Sequence, residues 1–111
     1  KVFDPLGPVT VTTPFSDFGN KFKESPKAVI ENAGQSVRIP CAPPEGYPDP
    51  EVTWYKNGDF FLIDGQRIKY EDNALIITEL YDTDTGFYAC RAENAAGKMI
   101  SKAARLQVNS K

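Results

Sequence analysis

Apolar and polar residues alternate along several short stretches of this chain, and residues that favour turns separate these stretches. Successive side chains of a β-strand point to opposite faces, so alternation predicts strands with one apolar face. The strands predicted in this way are 27–31, 36–42, 51–56, 60–63, 67–70, 74–78, 87–93 and 99–108. No stretch has the periodicity of a helix of useful length. The pattern therefore predicts an all-β sandwich of short strands.

Turn signals set the ends of these strands. Asn57-Gly58 predicts a tight hairpin after the third strand, and residues 94–97 are expected to close the last hairpin. The segment 43–50 contains four prolines, which lack the N–H group that a ladder needs. We therefore predict that 43–50 is a loop outside the sheets.

The first 24 residues differ from the rest of the chain. They hold four of the seven phenylalanines and little sustained alternation, and only 9–13 has the pattern of a short strand. We predict that 1–24 is the end of a preceding domain with a linker, or an extension that packs on the domain through its phenylalanines. The domain itself is then expected to span 25–109, followed by a linker at 110–111.

Composition narrows the class of protein. The length of 111 residues predicts one domain, and 41% hydrophobic residues is too many for a disordered chain. No apolar run is long enough to insert into a membrane. The N-terminus lacks the apolar core of a signal peptide, so we expect the chain to be a piece of a longer protein. The net charge of −2 gives no reason to expect a nucleic-acid partner.

The two cysteines lie in alternating stretches. Cys41 shares an apolar face with Ile39, and Cys90 shares one with Tyr88. The pair is therefore placed to bridge two stacked sheets, and its spacing of 49 residues matches no common zinc or redox motif. A disulfide would favour an extracellular location. Two buried thiols would also pack adequately as small hydrophobic groups.

The order of Cys41, Trp54 and Cys90, with Tyr88 two residues before the second cysteine, is a hallmark of immunoglobulin sandwiches. With Leu75, Asp84, Gly86 and the 94–97 turn, these residues resemble the I-set immunoglobulin domains of cell-adhesion and axon-guidance receptors over about 25–108. The resemblance implies two antiparallel sheets in a Greek key, with Trp54, Leu75 and Tyr88 in the core. It also implies that Gly86 permits a tight bend and that Arg67 pairs with Asp84.

A narrower resemblance rests on 17–26 and on the proline-rich loop. These segments are similar to the second immunoglobulin domain of Roundabout-type receptors. Adhesion molecules of the L1 and neuroglian kind have a similar loop.

The chain contains no histidine, which removes the usual general base and the commonest metal ligand. The fold accounts for both cysteines, and the single glycines form no phosphate-binding loop. We therefore predict a protein that is not an enzyme and that has no cofactor or metal site.

Strand parity predicts one surface for a protein partner. If Trp54, Tyr88 and Cys90 point inward, Tyr55, Phe87 and Arg91 point outward on one sheet, and these residue types are enriched at interfaces. Phe60 and Phe61 adjoin this sheet, and alternation sends at least one of them outward. The alternative is that Phe60 and Phe87 cover one another or lie under the N-terminal segment.

Basic residues cluster at Lys98, Lys102 and Arg105. They are candidates for a site that binds a sulfated glycan. The alternative is a solvated strand edge, where lysine discourages strand addition.

The resemblance implies a recognition module from the ectodomain of a cell-surface receptor, which binds a protein ligand or an identical domain. Three other interpretations stay open: a structural bead of an intracellular muscle protein, a docking domain of an extracellular matrix enzyme, and a glycan-binding domain.

Overall fold

In the computed structural model, which describes residues 17–110, the chain folds into two packed β-sheets and a short two-stranded ladder. The strands, numbered in chain order, are β1 (Asp17–Phe18), β2 (Val29–Asn32), β3 (Val37–Pro40), β4 (Gly46–Tyr47), β5 (Glu51–Lys56), β6 (Asp59–Phe61), β7 (Ile68–Glu71), β8 (Ala74–Ile77), β9 (Gly86–Asn94), β10 (Gly97–Ile100) and β11 (Ala104–Asn109). One 3₁₀-helix, Asp82–Asp84, precedes β9. The predicted strand at 9–13 lies outside the described residues.

The larger sheet has the order β2-β11-β9-β5-β6, and β10 also pairs with β9. The smaller sheet has the order β3-β8-β7. The prediction of an all-β immunoglobulin-like sandwich is confirmed. One pair departs from antiparallel pairing: β2 runs parallel to β11, with Val29 opposite Leu106. Glu24 forms an isolated bridge with Ala42, just beyond the end of β3, and the chain then joins the larger sheet, where it runs alongside β11.

The inward side chains of both sheets form one core. Ile39, Leu75 and Ile77 of the smaller sheet and Trp54 and Leu106 of the larger sheet are at most 1% exposed. They belong to a single apolar cluster that spans the two sheets. Burial of these side chains at roughly 25 cal/mol per Å² is the main stabilising term of the fold.

The proline-rich loop contributes a short ladder that the sequence pattern did not predict. Gly46 and Tyr47 retain their N–H groups between the prolines and pair with Asp17 and Phe18. The Asn94 side-chain amide donates to the Asp17 carbonyl at 2.7 Å and to the Pro48 carbonyl at 2.9 Å. Residues 17–18 are therefore attached to two loops of the domain.

The last predicted strand, 99–108, is divided in two by residues 101–103. Within this break, the Ser101 hydroxyl accepts a hydrogen bond from the Cys90 N–H at 3.0 Å and donates one to the Lys102 carbonyl at 3.0 Å. A side chain thus replaces a backbone acceptor of the ladder. Side chains that alternate before the break are out of phase with those after it.

No helix in residues 17–110 combines the length and the apolar character that spanning a membrane requires.

Candidate functional site

The two sheets are joined by a disulfide next to the tryptophan. Cys41 and Cys90 form a disulfide, with their Cα atoms 6.6 Å apart. Trp54 lies directly opposite Cys90 in the β5–β9 ladder, and all three side chains are fully buried. The Trp54 indole meets Tyr70 edge-on, with a centroid distance of 6.1 Å. The Trp54 Nε1 is buried and has no hydrogen-bond partner among the described residues.

The start of β9 is fixed by a tyrosine. The Tyr88 hydroxyl donates to the Asp84 carbonyl, and burial raises the pKa of this hydroxyl far above its usual range. Gly86 is not among the described glycines with left-handed φ, which are Gly34, Gly58 and Gly65. A Cβ at Gly86 would instead lie 3.0–3.2 Å from side-chain atoms of Lys56 and Asn57. A larger residue at position 86 would therefore require these two side chains to shift.

Arg67 and Asp84 form an ion pair with two hydrogen bonds, at 2.8 and 3.1 Å. Burial alone would raise the pKa of Asp84, but the bonds from Arg67 and the Tyr81 N–H hold this pKa below its usual range. The hydrogen bond from Asp84 in turn raises the pKa of Arg67. The Arg67 guanidinium also lies 4.6 Å from the centre of the Tyr81 ring. These contacts attach the β9 corner to the end of the smaller sheet.

The buried side chains described above stabilise the fold. The candidate functional surface is therefore the outer face of the larger sheet. We call this surface, on β5, β6, β9, β10 and the start of β11, the recognition face. Strand register and parity arrange its side chains in four rows. From the β9 start upward, the rows are Phe87 and Arg105; Phe60, Tyr55 and Ala89; Thr53, Arg91 and Ile100; Glu51, Glu93 and Lys98.

Three large apolar side chains of the recognition face are open to solvent. Phe60, Phe87 and Ile100 expose 65%, 52% and 63% of their surface, and Tyr55 is half-buried. Phe60 and Phe87 are therefore not covered, either by one another or by residues 17–24. Phe61 is a correction to the candidate set, because it turns inward and meets the Tyr88 ring edge-on at 5.4 Å. We leave Phe61 out of the recognition face.

Ile100 was not among the candidates because of the break in the last strand. Uninterrupted alternation from Leu106 would have sent Ile100 into the core. In the structure Ile100 lies opposite Arg91 on the outer face, whereas Leu106 lies opposite Gly86 and is fully buried. The one signal of this change in alternation in the sequence was Ser101, which lies within an otherwise apolar and basic stretch.

A shallow groove of about 1030 Å³ runs across the recognition face. Its lining includes Tyr55, Phe87, Arg91 and Ile100, and the small Ala89 lies between them. None of the described residues that line the groove carries a carboxylate. This combination of aromatic, aliphatic and guanidinium groups around a recess is typical of the core of a protein interface.

Charges are distributed unevenly along the recognition face. Arg91 forms an ion pair with Glu93 at 2.8 Å. Glu93 also lies opposite Glu51 on one side and Lys98 on the other, so the fourth row carries two carboxylates and one ammonium group. Arg105, in the first row, lies opposite Phe87. With Arg91 included, two acidic and two basic side chains balance at this end of the face, and Arg105 adds one positive charge at the other end.

The three candidate glycan-binding residues do not form a compact cluster. Lys98 lies on β10, Lys102 in the break and Arg105 on β11, and all three are exposed. They follow the last strand over much of its length. Among residues 17–110, no three or more acidic or cysteine side chains are grouped as metal ligands would be.

Comparison with known proteins agrees with this architecture. A family model described as the immunoglobulin I-set domain matches residues 20–108. Roundabout homolog 4 of Rattus norvegicus is 33% identical over 87 residues, which cover 78% of this chain and 9% of the relative. The predicted likeness to Roundabout-type receptors is thus confirmed. The chain spans only about a tenth of that relative's length.

Two solved structures are also similar. The tandem immunoglobulin repeats of Dlar superpose with a TM-score of 0.76 and 29% identity, covering 96% of this chain and 55% of that one. An immunoglobulin domain in a titin M10–obscurin-like 1 mutant complex gives a TM-score of 0.73 and 32% identity, covering 82% of this chain and 93% of that one.

Proposed function

Because the chain belongs to the immunoglobulin I-set family, we propose that it is a non-enzymatic recognition domain from the ectodomain of an adhesion or guidance receptor. It binds protein through the recognition face. The observation that carries this proposal is the exposure of Phe87 and Ile100 around one groove, with Phe60 exposed on the neighbouring strand β6. Contiguous exposed apolar side chains of this kind mark interaction sites on soluble domains.

The likeness to a Roundabout receptor and to the Dlar repeats supports the cellular setting. The disulfide also supports it, since such bonds persist in oxidising compartments. A domain of this kind acts by presenting a preformed face on a rigid sandwich. Tyr55 and Phe87 supply large contact area with little side-chain entropy to lose. Arg91, held by Glu93, supplies directional hydrogen bonds at the groove.

The variant Y55S/F87S tests the proposal. Both changes remove apolar area from the groove without entering the core, because Phe87 is exposed and Tyr55 lies on the outer face. We expect staining of receptor-bearing cells by the multimerised chain to fall at least tenfold, since central aromatic residues are typical hot spots. The melting temperature should change by only a few degrees.

Y81S is the matched control, because Tyr81 is 56% exposed and lies at the corner near Arg67, away from the groove. Staining by Y81S should equal that of the unchanged chain. If Y55S/F87S stains the cells as strongly as Y81S, the recognition face is not the binding surface.

The likeness to titin supports a second candidate, a structural bead of an intracellular muscle protein. Thiol titration of the protein isolated from its natural source without reductant separates the two. We expect no reactive thiol before or after unfolding, because Cys41 and Cys90 are oxidised in a receptor ectodomain. Two titratable thiols after unfolding would favour the muscle protein.

A sulfated glycan stays a proposed additional partner of Lys98, Lys102 and Arg105, which are exposed along one strand. Retention on a heparin column that falls steeply with added salt would support it, since screening weakens contacts between exposed charges. K98E should elute at a lower salt concentration than the control K69E, which changes an exposed lysine of the smaller sheet, and equal elution of the two variants would contradict a site at these residues. A docking domain of a matrix enzyme has no observation in its favour beyond the fold.

A further inference from the structure

One edge of the groove on the recognition face carries basic side chains. Lys98 lines the groove itself, and Lys102 lies between two residues that line it. Arg105 lies opposite Phe87, which also lines the groove. All three basic residues are exposed, and none of them forms an ion pair within residues 17–110. We call Lys98, Lys102 and Arg105 the basic edge.

The positive charge of the basic edge is local. The whole chain has a net charge of −2, with 13 basic and 15 acidic residues. On the recognition face and in the break beside it, the basic edge and Arg91 together outnumber the two carboxylates, Glu51 and Glu93. Glu93 already binds Arg91 at 2.8 Å. The basic edge can therefore attract a negative charge from outside the domain.

The apolar side chains beside the basic edge indicate the class of partner. Phe87 and Ile100 each expose more than half of their surface around the groove, and the small Ala89 lies between them. A sulfated glycan can neutralise the basic edge, but it has few apolar groups to cover these side chains. Burial against an apolar side chain of a protein stabilises a complex by roughly 25 cal/mol per Å². A groove with one basic edge therefore favours an acidic protein over a glycan.

The length of the site fits a short segment of that protein. Lys98 lies in the fourth row and Arg105 in the first row, so they are about 20 Å apart at two residues per row. An extended chain covers this distance in about six residues. One loop or terminal segment can thus place an apolar side chain in the groove and carboxylates beside the basic edge.

We propose that the recognition face binds an acidic segment of a partner protein, whose large apolar side chain enters the groove while its aspartate or glutamate side chains lie along the basic edge. This inference deepens the proposed function and rests on it. Exposed charges at the rim of such a site speed association and make it depend on salt, whereas the apolar contact slows dissociation. A contact of this size is weak for one domain and gains strength when several domains are linked.

Charge reversal of the basic edge tests the proposal. With K98E/K102E/R105E, staining of the same receptor-bearing cells by the multimerised chain should fall about tenfold at low salt. Added sodium chloride should weaken staining by the unchanged chain and strengthen staining by this variant, because screening reduces attraction and repulsion alike. The neutral variant K98Q/K102Q/R105Q adds no repulsion within the domain. It should also lose staining, with little dependence on salt.

The control K21E/K23E/K69E makes the same change of charge at three exposed lysines of the N-terminal segment and the smaller sheet. Its staining and salt dependence should match those of the unchanged chain, and an equal loss in this control would contradict a site at the basic edge. Full staining by both variants of the basic edge, together with loss of staining by Y55S/F87S, would overturn the acidic partner and leave the proposed function standing. Full staining by all of these variants would count against both.

Enzymatic treatment of the cells identifies the class of the partner. Trypsin should remove the staining, and a mixture of heparinase and chondroitinase should leave it unchanged. Staining that is lost after the glycan-degrading enzymes would assign the basic edge to a sulfated glycan and overturn the proposal. Staining that survives both treatments would indicate a lipid headgroup and would overturn the proposal as well.

Discussion

Replacement of both cysteines by alanine is expected to lower the free energy of unfolding by about 4 kcal/mol. Cys41 and Cys90 are 49 residues apart, and in the chain-entropy model a cross-link of that span restricts the unfolded chain by this amount. Many domains have a total stability of only about 5–15 kcal/mol. The C41A/C90A chain should therefore unfold at a much lower urea concentration than the unchanged chain, and circular dichroism measures both midpoints.

The variant C41V/C90V separates the cross-link from packing. Valine fills more of the space beside Trp54 than alanine does, but it restores no bond between the sheets. We expect C41V/C90V to recover only the part of the loss that comes from the cavity. If the unchanged chain and C41A/C90A have the same unfolding midpoint, the disulfide does not constrain the unfolded state.

Replacement of Asp84 by asparagine is expected to destabilise the fold by about 2–3 kcal/mol at pH 7. The Asp84 carboxylate is buried, binds Arg67 twice and accepts the Tyr81 N–H, so neutralisation leaves a partly buried guanidinium without its counter-charge. Breaking a fully buried pair costs about 3–5 kcal/mol, and partial exposure of Arg67 reduces this effect. Urea unfolding at pH 7 measures the difference.

The sign of the pH dependence follows from the lowered pKa of Asp84. A carboxyl with a lower pKa in the folded state stabilises the fold above its unfolded pKa, near 3.8. This stabilisation is lost as the pH falls through the lower, folded pKa. The difference between D84N and the unchanged chain should therefore shrink toward pH 2. The control D59N changes an exposed carboxylate, and an equal loss in D84N at pH 7 and pH 2 would contradict the ionic origin.

The N-terminal boundary at residue 25 stays a prediction. The described part of that segment, from Asp17 to Glu24, pairs with β4 and with Ala42 and is thus attached to the sandwich. Sequence pattern could not show this, because a two-residue ladder has no periodicity and its partner loop is rich in proline. The attachment depends on the Asn94 side chain, 77 residues away from Asp17 along the chain.

The sequence by itself predicted the sandwich and the inward faces of its strands, and it placed the two cysteines where they could bridge the sheets. Alternation over four or more residues assigns each side chain to a face and placed Cys41 and Cys90 on apolar faces, whereas the resemblance to I-set domains implied the inward position of Trp54. Only the tertiary structure decided which outward residues form one surface. The break at Ser101 reversed the phase of the last strand and sent Ile100 outward, and strand pairing brought it beside Arg91. The face to which a side chain points follows from the local sequence. The register of strand pairing and the positions of strand breaks depend instead on hydrogen bonds between strands that are distant in sequence.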